Sequence, residues 1–146
     1  MTPEETVEAY YEALRSGEPL ASFFVESPDV VKFGIGEQLV GYADLADGLS
    51  DQTARTRDWT VESRDLRVVD RGDHAAVSDA VRLEWYDTTG YEDHAYDTRW
   101  SGTLTRVDET EDGGGDGPKG TDRDDDEAEW KFLGLHVSVP GPTAEE

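Results

Sequence analysis

Residues 129–138, EWKFLGLHVS, have the composition of a β-strand with two different faces. Strict alternation puts a mixed aromatic and polar set on one face, namely Trp130, Phe132, His136 and Ser138. The other face is aliphatic and carries Leu133, Leu135 and Val137. An imidazole and a hydroxyl beside two large rings are typical of a mostly apolar pocket with a few polar groups. We therefore expect this strand to line a ligand-sized cavity, with its aliphatic face covered by the same chain or by a second copy.

The charge of the chain is strongly acidic and dispersed. Its 146 residues include 35 acidic and 13 basic side chains, for a net charge of −22 at pH 7. A surface for one basic partner would concentrate this charge, so its spread along the chain favours adaptation to molar salt, where screening limits self-repulsion. The scarcity of Lys relative to Arg resembles proteins of halophilic archaea. No basic stripe is present to neutralise phosphates, which argues against nucleic-acid binding.

Several classes of site are excluded by residue types that are missing. The chain contains no Cys, so it forms no disulfide, thiolate nucleophile or thiolate-ligated metal centre. No two histidines lie close in sequence, and no phosphate-binding loop or nucleophile elbow occurs, so we expect no metal and no cofactor.

No stretch approaches the roughly 20 apolar residues of a membrane span, and the N-terminus lacks a signal pattern. We expect a cytoplasmic protein without a membrane partner.

Periodicity predicts helices first and strands afterwards. Thr2 can cap a helix that has Pro3 at its first position and Glu5 in a capping box. Its apolar stripe follows a spacing of i, i+3, i+4, i+7 and consists of Val7, Tyr10, Tyr11 and Leu14. A short helix is predicted over residues 19–25, a strand over 29–35 and a third helix over 42–56. Four long strands are predicted over residues 59–69, 75–86, 92–107 and 129–138.

Residues 108–128 interrupt this pattern. They are rich in Asp, Glu and Gly and contain no aliphatic residue larger than Ala. Hairpin connections usually take about 2–5 residues, so we predict an inserted, disordered acidic loop within one domain that spans residues 1–146. We also predict a flexible tail at residues 140–146.

Four motifs in this order resemble the SnoaL-like branch of the nuclear transport factor 2-like superfamily, which includes ketosteroid isomerase, scytalone dehydratase and limonene epoxide hydrolase. They are ETVEAYYEAL at residues 5–14, GYADL at 41–45, RWSGTLTR at 99–106 and W-x-F-x-x-x-H-x-S at 130–138. The resemblance implies an α+β fold, in which a curved antiparallel sheet wraps on three helices as a cone with an open pocket. It also implies a homodimer through the outer face of the sheet, which would cover Leu133, Leu135 and Val137.

His136 is the first candidate for catalysis. A histidine side chain takes up and releases protons near neutral pH, and its predicted face is the aromatic one that would line the pocket. The alternative is a structural histidine that bonds a neighbouring strand or helix.

Asp97 and Arg99 are the other catalytic candidates, and they share a strand face with Ser101 and Thr103. If this face lines the cone, Arg99 could hold a carboxylate or phosphate, or position a water beside Asp97. The Asp97-x-Arg99 pair resembles part of the Asp–Arg–Asp set of limonene epoxide hydrolase, and Asp79 is a candidate for the second acid. The alternative is a salt bridge on the sheet surface. The opposite face would then line the pocket with Tyr96, Thr98 and Trp100.

The predicted function is that of a small-molecule pocket protein. As an enzyme it would carry out cofactor-free acid–base isomerisation, dehydration, cyclisation or hydrolysis on a hydrophobic or polar metabolite, with His136 as proton carrier. The alternative is a non-catalytic ligand-binding or dimerisation module. His74 and His94 follow turns and are predicted to lie on the surface. The candidate ligand-binding residues are Tyr10, Tyr11, Trp100, Ser101, Phe132 and Ser138.

Overall fold

The computed structural model describes residues 1–107 and 129–140. The described residues form an open, curved sheet of seven strands with two α-helices, an α+β architecture. The helices are α1 (Pro3–Ser16) and α2 (Tyr42–Arg55), with a short 3₁₀ helix at Ala21–Phe23 between them. The strands are β1 (Val31–Gly34), β2 (Glu37–Val40), β3 (Thr56–Ser63), β4 (Arg67–Asp70), β5 (His74–Asp87), β6 (Glu92–Val107) and β7 (Glu129–Ser138).

The predicted fold class is confirmed, with differences in detail. The short helix predicted at residues 19–25 is a single 3₁₀ turn, so two α-helices are present in the described residues instead of the expected three. The strand predicted at residues 59–69 is divided into β3 and β4, which both pair with β5. The predicted loop at residues 108–128 and residues 141–146 of the predicted tail lie outside the described residues.

Helix α1 begins and ends where its sequence predicts. The Thr2 hydroxyl accepts from the Glu5 amide at 3.1 Å, and the Thr2 amide donates to the Glu5 carboxylate at 3.0 Å. Gly17 ends the helix with φ of +71°, a left-handed conformation that glycine adopts without steric cost. The apolar stripe is buried against the sheet as expected, and we call the sheet face that packs on the helices the inner face.

The sheet order is β2-β1-β7-β6-β5-β3, with β4 beside β5. The β1–β7 pair is parallel and the other pairs are antiparallel, so the sheet is mixed and not purely antiparallel. Strand β7 lies between β1 and β6. The last described strand along the chain therefore pairs with two strands that both precede it in the sequence, one of them near the N-terminus.

A β-bulge in β7 changes which of its side chains face inward. Leu104 pairs with Phe132, whereas Thr103 pairs with Gly134, so Leu133 has no partner of its own on β6. Such an extra residue shifts the alternation of the strand by one position. Phe132 is therefore buried before the bulge and Val137 after it, while Leu133 and His136 are exposed on the outer face. The prediction that Phe132 and His136 share a face is wrong for this reason.

Tyr10 is at the centre of the core. Its ring makes edge-on contacts with Phe23, Phe24, Trp100 and Phe132, at centroid distances of 5.3, 5.9, 6.0 and 5.4 Å. Edge-to-face pairs at these distances add to the stabilisation from burial. These contacts fix α1 against β6 and β7 and form one wall of the cavity described next.

Candidate functional site

A cavity of about 280 Å³ lies between the inner face of the sheet and the two helices. Its wall is mainly aromatic and aliphatic, with a few polar groups, as expected of a small-molecule site. The lining residues that carry the following description are Tyr10, Lys32, Glu37, Trp59, Trp85, His94, Tyr96 and Trp100.

A row of stacked rings crosses three strands along one wall. Trp59 stacks on Trp85 at 4.7 Å, and Trp85 stacks on His94 at 5.2 Å. Tyr96 continues the row, with its ring 6.2 Å from His94 and nearly parallel to it. The row is continuous because Trp85 and His94 are direct cross-strand partners on β5 and β6. All four rings line the cavity.

The indole N–H groups of two cavity tryptophans are bonded within the protein. Trp59 Nε1 donates to Thr56 Oγ1 at 2.9 Å, and Trp100 Nε1 donates to Thr98 Oγ1 at the same distance. Thr98 in turn donates to the Val81 carbonyl at 2.6 Å. The hydrogen-bonding capacity of these two indoles is therefore satisfied within the wall.

One ion pair opens into the cavity. Lys32 Nζ donates to Glu37 Oε1 at 2.6 Å, and the two side chains are 7% and 28% exposed. Lys32 lies on β1 and Glu37 on β2, on either side of the hairpin turn. Gly34 leaves room for the pair, because a Cβ at this position would lie 3.0 Å from Lys32 Nζ and would also press on the Glu37 carboxylate. The other carboxylate oxygen, Oε2, makes no hydrogen bond to any residue that the structure describes.

Tyr10 lines the same cavity as this pair and carries a hydroxyl group that can donate a hydrogen bond. Burial raises the pKa of Tyr10 above its ordinary value, and the Glu37 charge raises it further. The phenol therefore stays protonated at neutral pH. Within residues 1–107 and 129–140 it has no hydrogen-bond partner, so it remains available to an acceptor in the cavity.

His94 supplies an imidazole group to the same cavity. Its Nε2 lies 3.6 Å from Glu92 Oε1 and 3.9 Å from Asp87 Oδ2, and its side chain is 27% exposed. The amides of Gly90 and Thr89 lower the pKa of Asp87, with smaller contributions from its charged neighbours, so this carboxylate is ionised. The prediction that His94 is a surface residue is wrong, because its stacking on Trp85 places it in the cavity wall.

The predicted catalytic residues lie outside this cavity. His136 is exposed on the outer face, where its ring lies 5.6 Å from Phe33. Asp97 is also exposed and pairs with Arg64 and Arg82, each at 3.3 Å. Arg99 is exposed on the same outer face of β6. Asp97 therefore forms surface salt bridges, as the alternative interpretation expects, and its partners are Arg64 and Arg82.

The opposite face of β6 lines the cavity, as the second alternative for this strand predicts. Tyr96 and Trp100 project inward, in register with Leu83 and Asp79 of β5. Trp100 belongs to the wall, whereas Ser101 alternates to the outer face.

The remaining ligand-binding candidates are distributed between the core and the surface. Tyr10 lines the cavity, while Tyr11 and Phe132 are buried beside it without belonging to its wall. Ser138 lies after the bulge on the outer face of β7. Asp79 is buried, but it accepts the Tyr11 hydroxyl at 2.7 Å instead of joining Asp97 and Arg99.

The sequence interpretation missed Lys32, Glu37, Trp59, Trp85 and His94 as cavity residues. Lys32 has no local signal in the sequence, because the apolar alternation of Val31, Phe33 and Ile35 favours the opposite face of the strand as the inward one. A signal for His94 exists, because the short turn after Asp87 fixes the register of β5 and β6 and sets His94 opposite Trp85. No local signal identifies Glu37 as the partner of Lys32.

Comparison with known families agrees with this architecture. The family model described as a SnoaL-like domain matches residues 4–110. The chain belongs to the SnoaL-like family. No curated protein matches the sequence.

Solved structures of low sequence identity share the SnoaL-like fold. A nuclear transport factor 2-like superfamily protein from Salmonella enterica serovar Typhimurium is 14% identical, with a TM-score of 0.72 over 95% of this chain and 89% of that chain. A ketosteroid isomerase-like protein from Erwinia carotovora atroseptica is 17% identical, with a TM-score of 0.69 over 95% and 94%. A protein proposed to be a scytalone dehydratase, from Novosphingobium aromaticivorans, is 17% identical, with a TM-score of 0.71 over 94% and 81%. Identities this low establish the fold alone.

Among the residues that the structure describes, no three His, Asp or Glu side chains are grouped so that they could hold a metal ion. In the same part of the chain, no helix has the length and apolar character needed to span a bilayer.

Proposed function

We propose that this SnoaL-like protein binds a small, flat molecule in the aromatic cavity and transfers a proton on it without a cofactor. The observation that carries the proposal is the Lys32–Glu37 pair, which places a carboxylate and an ammonium group at the wall of an otherwise mostly apolar cavity. Stacked rings hold the body of the ligand, and the polar groups fix its orientation.

Glu37 is the proposed base. Its Oε1 is bonded to Lys32, and its Oε2 remains available to accept a proton from the ligand. Lys32 and Tyr10 are donors that stabilise negative charge as it develops on a ligand oxygen. His94, in the same wall, is the proposed second proton carrier, in place of the exposed His136.

The reaction classes that this arrangement supports are isomerisation, dehydration, cyclisation and hydrolysis. Each of them needs a base, and a donor to oxygen, on a bound substrate. Two of the similar structures are named after an isomerase and a dehydratase, and both of these reaction types are in this group. They support the proposal through a shared fold and not through matched residues.

Hydrogen–deuterium exchange on a model ketone tests the proposal. 2-Tetralone is flat, uncharged and has acidic protons beside its carbonyl, and proton NMR in D₂O follows their loss. We expect wild-type protein to accelerate this exchange and Glu37→Gln to reduce the acceleration by about 100-fold, a usual contribution of general base catalysis. Glu62→Gln is the control, because it makes the same change in charge on an exposed side chain. Acceleration that persists in Glu37→Gln would refute the role of Glu37.

The second candidate function is a non-catalytic ligand-binding module. It is favoured by the direct ion pair, because Lys32 Nζ already occupies one of the two oxygens of the proposed base at 2.6 Å. In this case 2-tetralone would raise the melting temperature of the protein, but the protein would not accelerate exchange.

The outer face of the sheet is the proposed site of a homodimer. Leu133 is 40% exposed and Phe33 is 38% exposed on this face, which supports an apolar contact there. The same interface was expected to include Leu135 and Val137. Both are buried within their own chain, so the proposed interface does not include them. Sedimentation velocity on Leu133→Asp tests the proposal, and an unchanged dimer would refute this contact.

A further inference from the structure

We infer that the cavity selects an uncharged ligand that carries a hydroxyl group, and that the Lys32–Glu37 pair enforces this selection. The inference rests on the proposed function and adds the chemical class of the ligand. It follows from two properties of the wall: its net charge and its unpartnered hydrogen-bonding groups.

The charged groups of the wall cancel. With histidine neutral, Lys32 carries the positive charge and Glu37 the negative charge among the described lining residues. Each neutralises the other at 2.6 Å, and Lys32 is almost completely buried. An ion that enters the cavity loses hydration and finds no free counter-charge, which is unfavourable in a site of low dielectric constant.

The groups beside the cavity further disfavour an anion. Asp87 and Glu92 lie on the far side of His94, and the whole chain carries a net charge of −22. A cation is not repelled in this way and could stack on the aromatic row. However, the position next to Glu37 Oε1 is already occupied by the ammonium group of Lys32.

The free hydrogen-bonding groups match a hydroxyl. The Tyr10 hydroxyl can donate and Glu37 Oε2 can accept, and neither has a hydrogen bond among the described residues. Both side chains line the same cavity. A ligand hydroxyl both accepts and donates, so it satisfies the two groups at once. An ether or a ketone can satisfy only the donor.

Four naphthalene probes of one shape test the selection by calorimetric titration. They are 2-naphthol, 2-methoxynaphthalene, 2-naphthoate and 2-naphthylmethylammonium. We expect wild-type protein to bind 2-naphthol at least about tenfold more tightly than either ion, since an unpaired buried charge is costly. We also expect 2-methoxynaphthalene to bind more weakly than 2-naphthol.

Single substitutions should reverse the order of affinities in opposite directions. Glu37→Gln leaves Lys32 unpaired, so 2-naphthoate should become the tightest ligand. Lys32→Met leaves Glu37 unpaired, so 2-naphthylmethylammonium should become the tightest ligand. The matched controls are Glu62→Gln and Arg67→Met, which make the same changes in net charge at exposed positions and should keep the wild-type order.

The double variant Lys32→Met/Glu37→Gln keeps the test decisive if a single variant does not fold. Its wall is again uncharged, so both ions should be rejected as in wild type. The inference is overturned if wild type binds an ion as tightly as 2-naphthol, or if the single variants keep the wild-type order. If 2-tetralone exchange is accelerated in the same preparations, the proposed function survives that result. If no probe binds and no exchange is seen, both fail.

Discussion

Replacement of Asp79 by alanine should destabilise the protein far more than the same replacement of Asp97, one strand away. Asp79 is buried on the inner face, at 6% exposed. Its carboxylate accepts the Tyr11 hydroxyl at 2.7 Å, the Ser63 hydroxyl at 2.6 Å and the Asp65 amide at 2.9 Å. It thereby ties β5 to α1 and to the connection between β3 and β4.

The magnitude follows from what each donor can do after the carboxylate is removed. Ser63 and Asp65 are exposed and can donate to water instead, so losing their hydrogen bonds to Asp79 should cost little stability. Tyr11 is 2% exposed, and its hydroxyl would be left without a partner. Hydrogen bonds to charged groups contribute about 1.5–3 kcal/mol, and an orphaned buried group adds its desolvation cost, so we expect a loss of about 3 kcal/mol for Asp79→Ala. Asp79→Asn keeps an acceptor oxygen and should lose about half as much.

Urea unfolding followed by far-ultraviolet circular dichroism measures this loss in a buffer of constant salt. Asp97→Ala is the matched control, because its carboxylate is 65% exposed and makes only surface ion pairs. We expect it to change the free energy of unfolding by less than about 0.5 kcal/mol. The double variant Asp79→Ala/Tyr11→Phe should lose less than the sum of its parts, by about 1 kcal/mol, because the two side chains interact directly. Equal losses for Asp79→Ala and Asp97→Ala would refute this account of the buried carboxylate.

Three other predictions concern the ion pair, alkaline pH and salt. Gly34→Ala should push the Glu37 carboxylate away from Lys32, because the added Cβ would collide with that carboxylate. We expect slower 2-tetralone exchange by NMR and a nearly unchanged melting temperature. Unchanged exchange would contradict the role of Gly34. Burial raises the pKa of Tyr10 and Tyr11, so their stabilisation is complete below about pH 10 and is lost as the pH rises through their higher folded values. Urea unfolding followed by circular dichroism should show that the free energy of unfolding falls less steeply above about pH 10 in a Tyr11→Phe variant than in wild type, and equal slopes would contradict this reasoning. The net charge of −22 predicts a melting temperature that rises steeply from 0.1 to about 2 M KCl as self-repulsion is screened, and a flat response would contradict salt adaptation.

Local patterns in the sequence predict the helices and the composition of the strands. The cap at Thr2, the stop at Gly17 and the buried stripe of α1 depend on neighbouring residues alone, so they can be read without a structure. The same holds for α2, predicted over residues 42–56 and found at Tyr42–Arg55. These elements are sufficient to suggest the fold class.

The orientation of the strands depends on their partners, and this is where prediction from sequence fails. Alternation divides β6 into two faces, but it does not say which one packs on the helices; the structure chooses the face of Trp100 over that of Arg99. In β7, the bulge at Leu133 exists only because β6 pairs with both sides of it. Without that register, His136 is assigned to the wrong face. Lys32 and Glu37 come together across a hairpin whose pairing no single strand reveals.

The position of β7 has a consequence for biosynthesis. Among the described strands, the hairpin of β1 and β2 pairs with the rest of the sheet through β7 alone, and the ribosome makes β7 roughly a hundred residues after β1. During that interval the edge of β1 is an open template for pairing with another chain. A nascent polypeptide stalled before Glu129 would therefore expose this edge, and we expect ribosome-bound chains of that length to depend on a chaperone until Ser138 has left the exit tunnel.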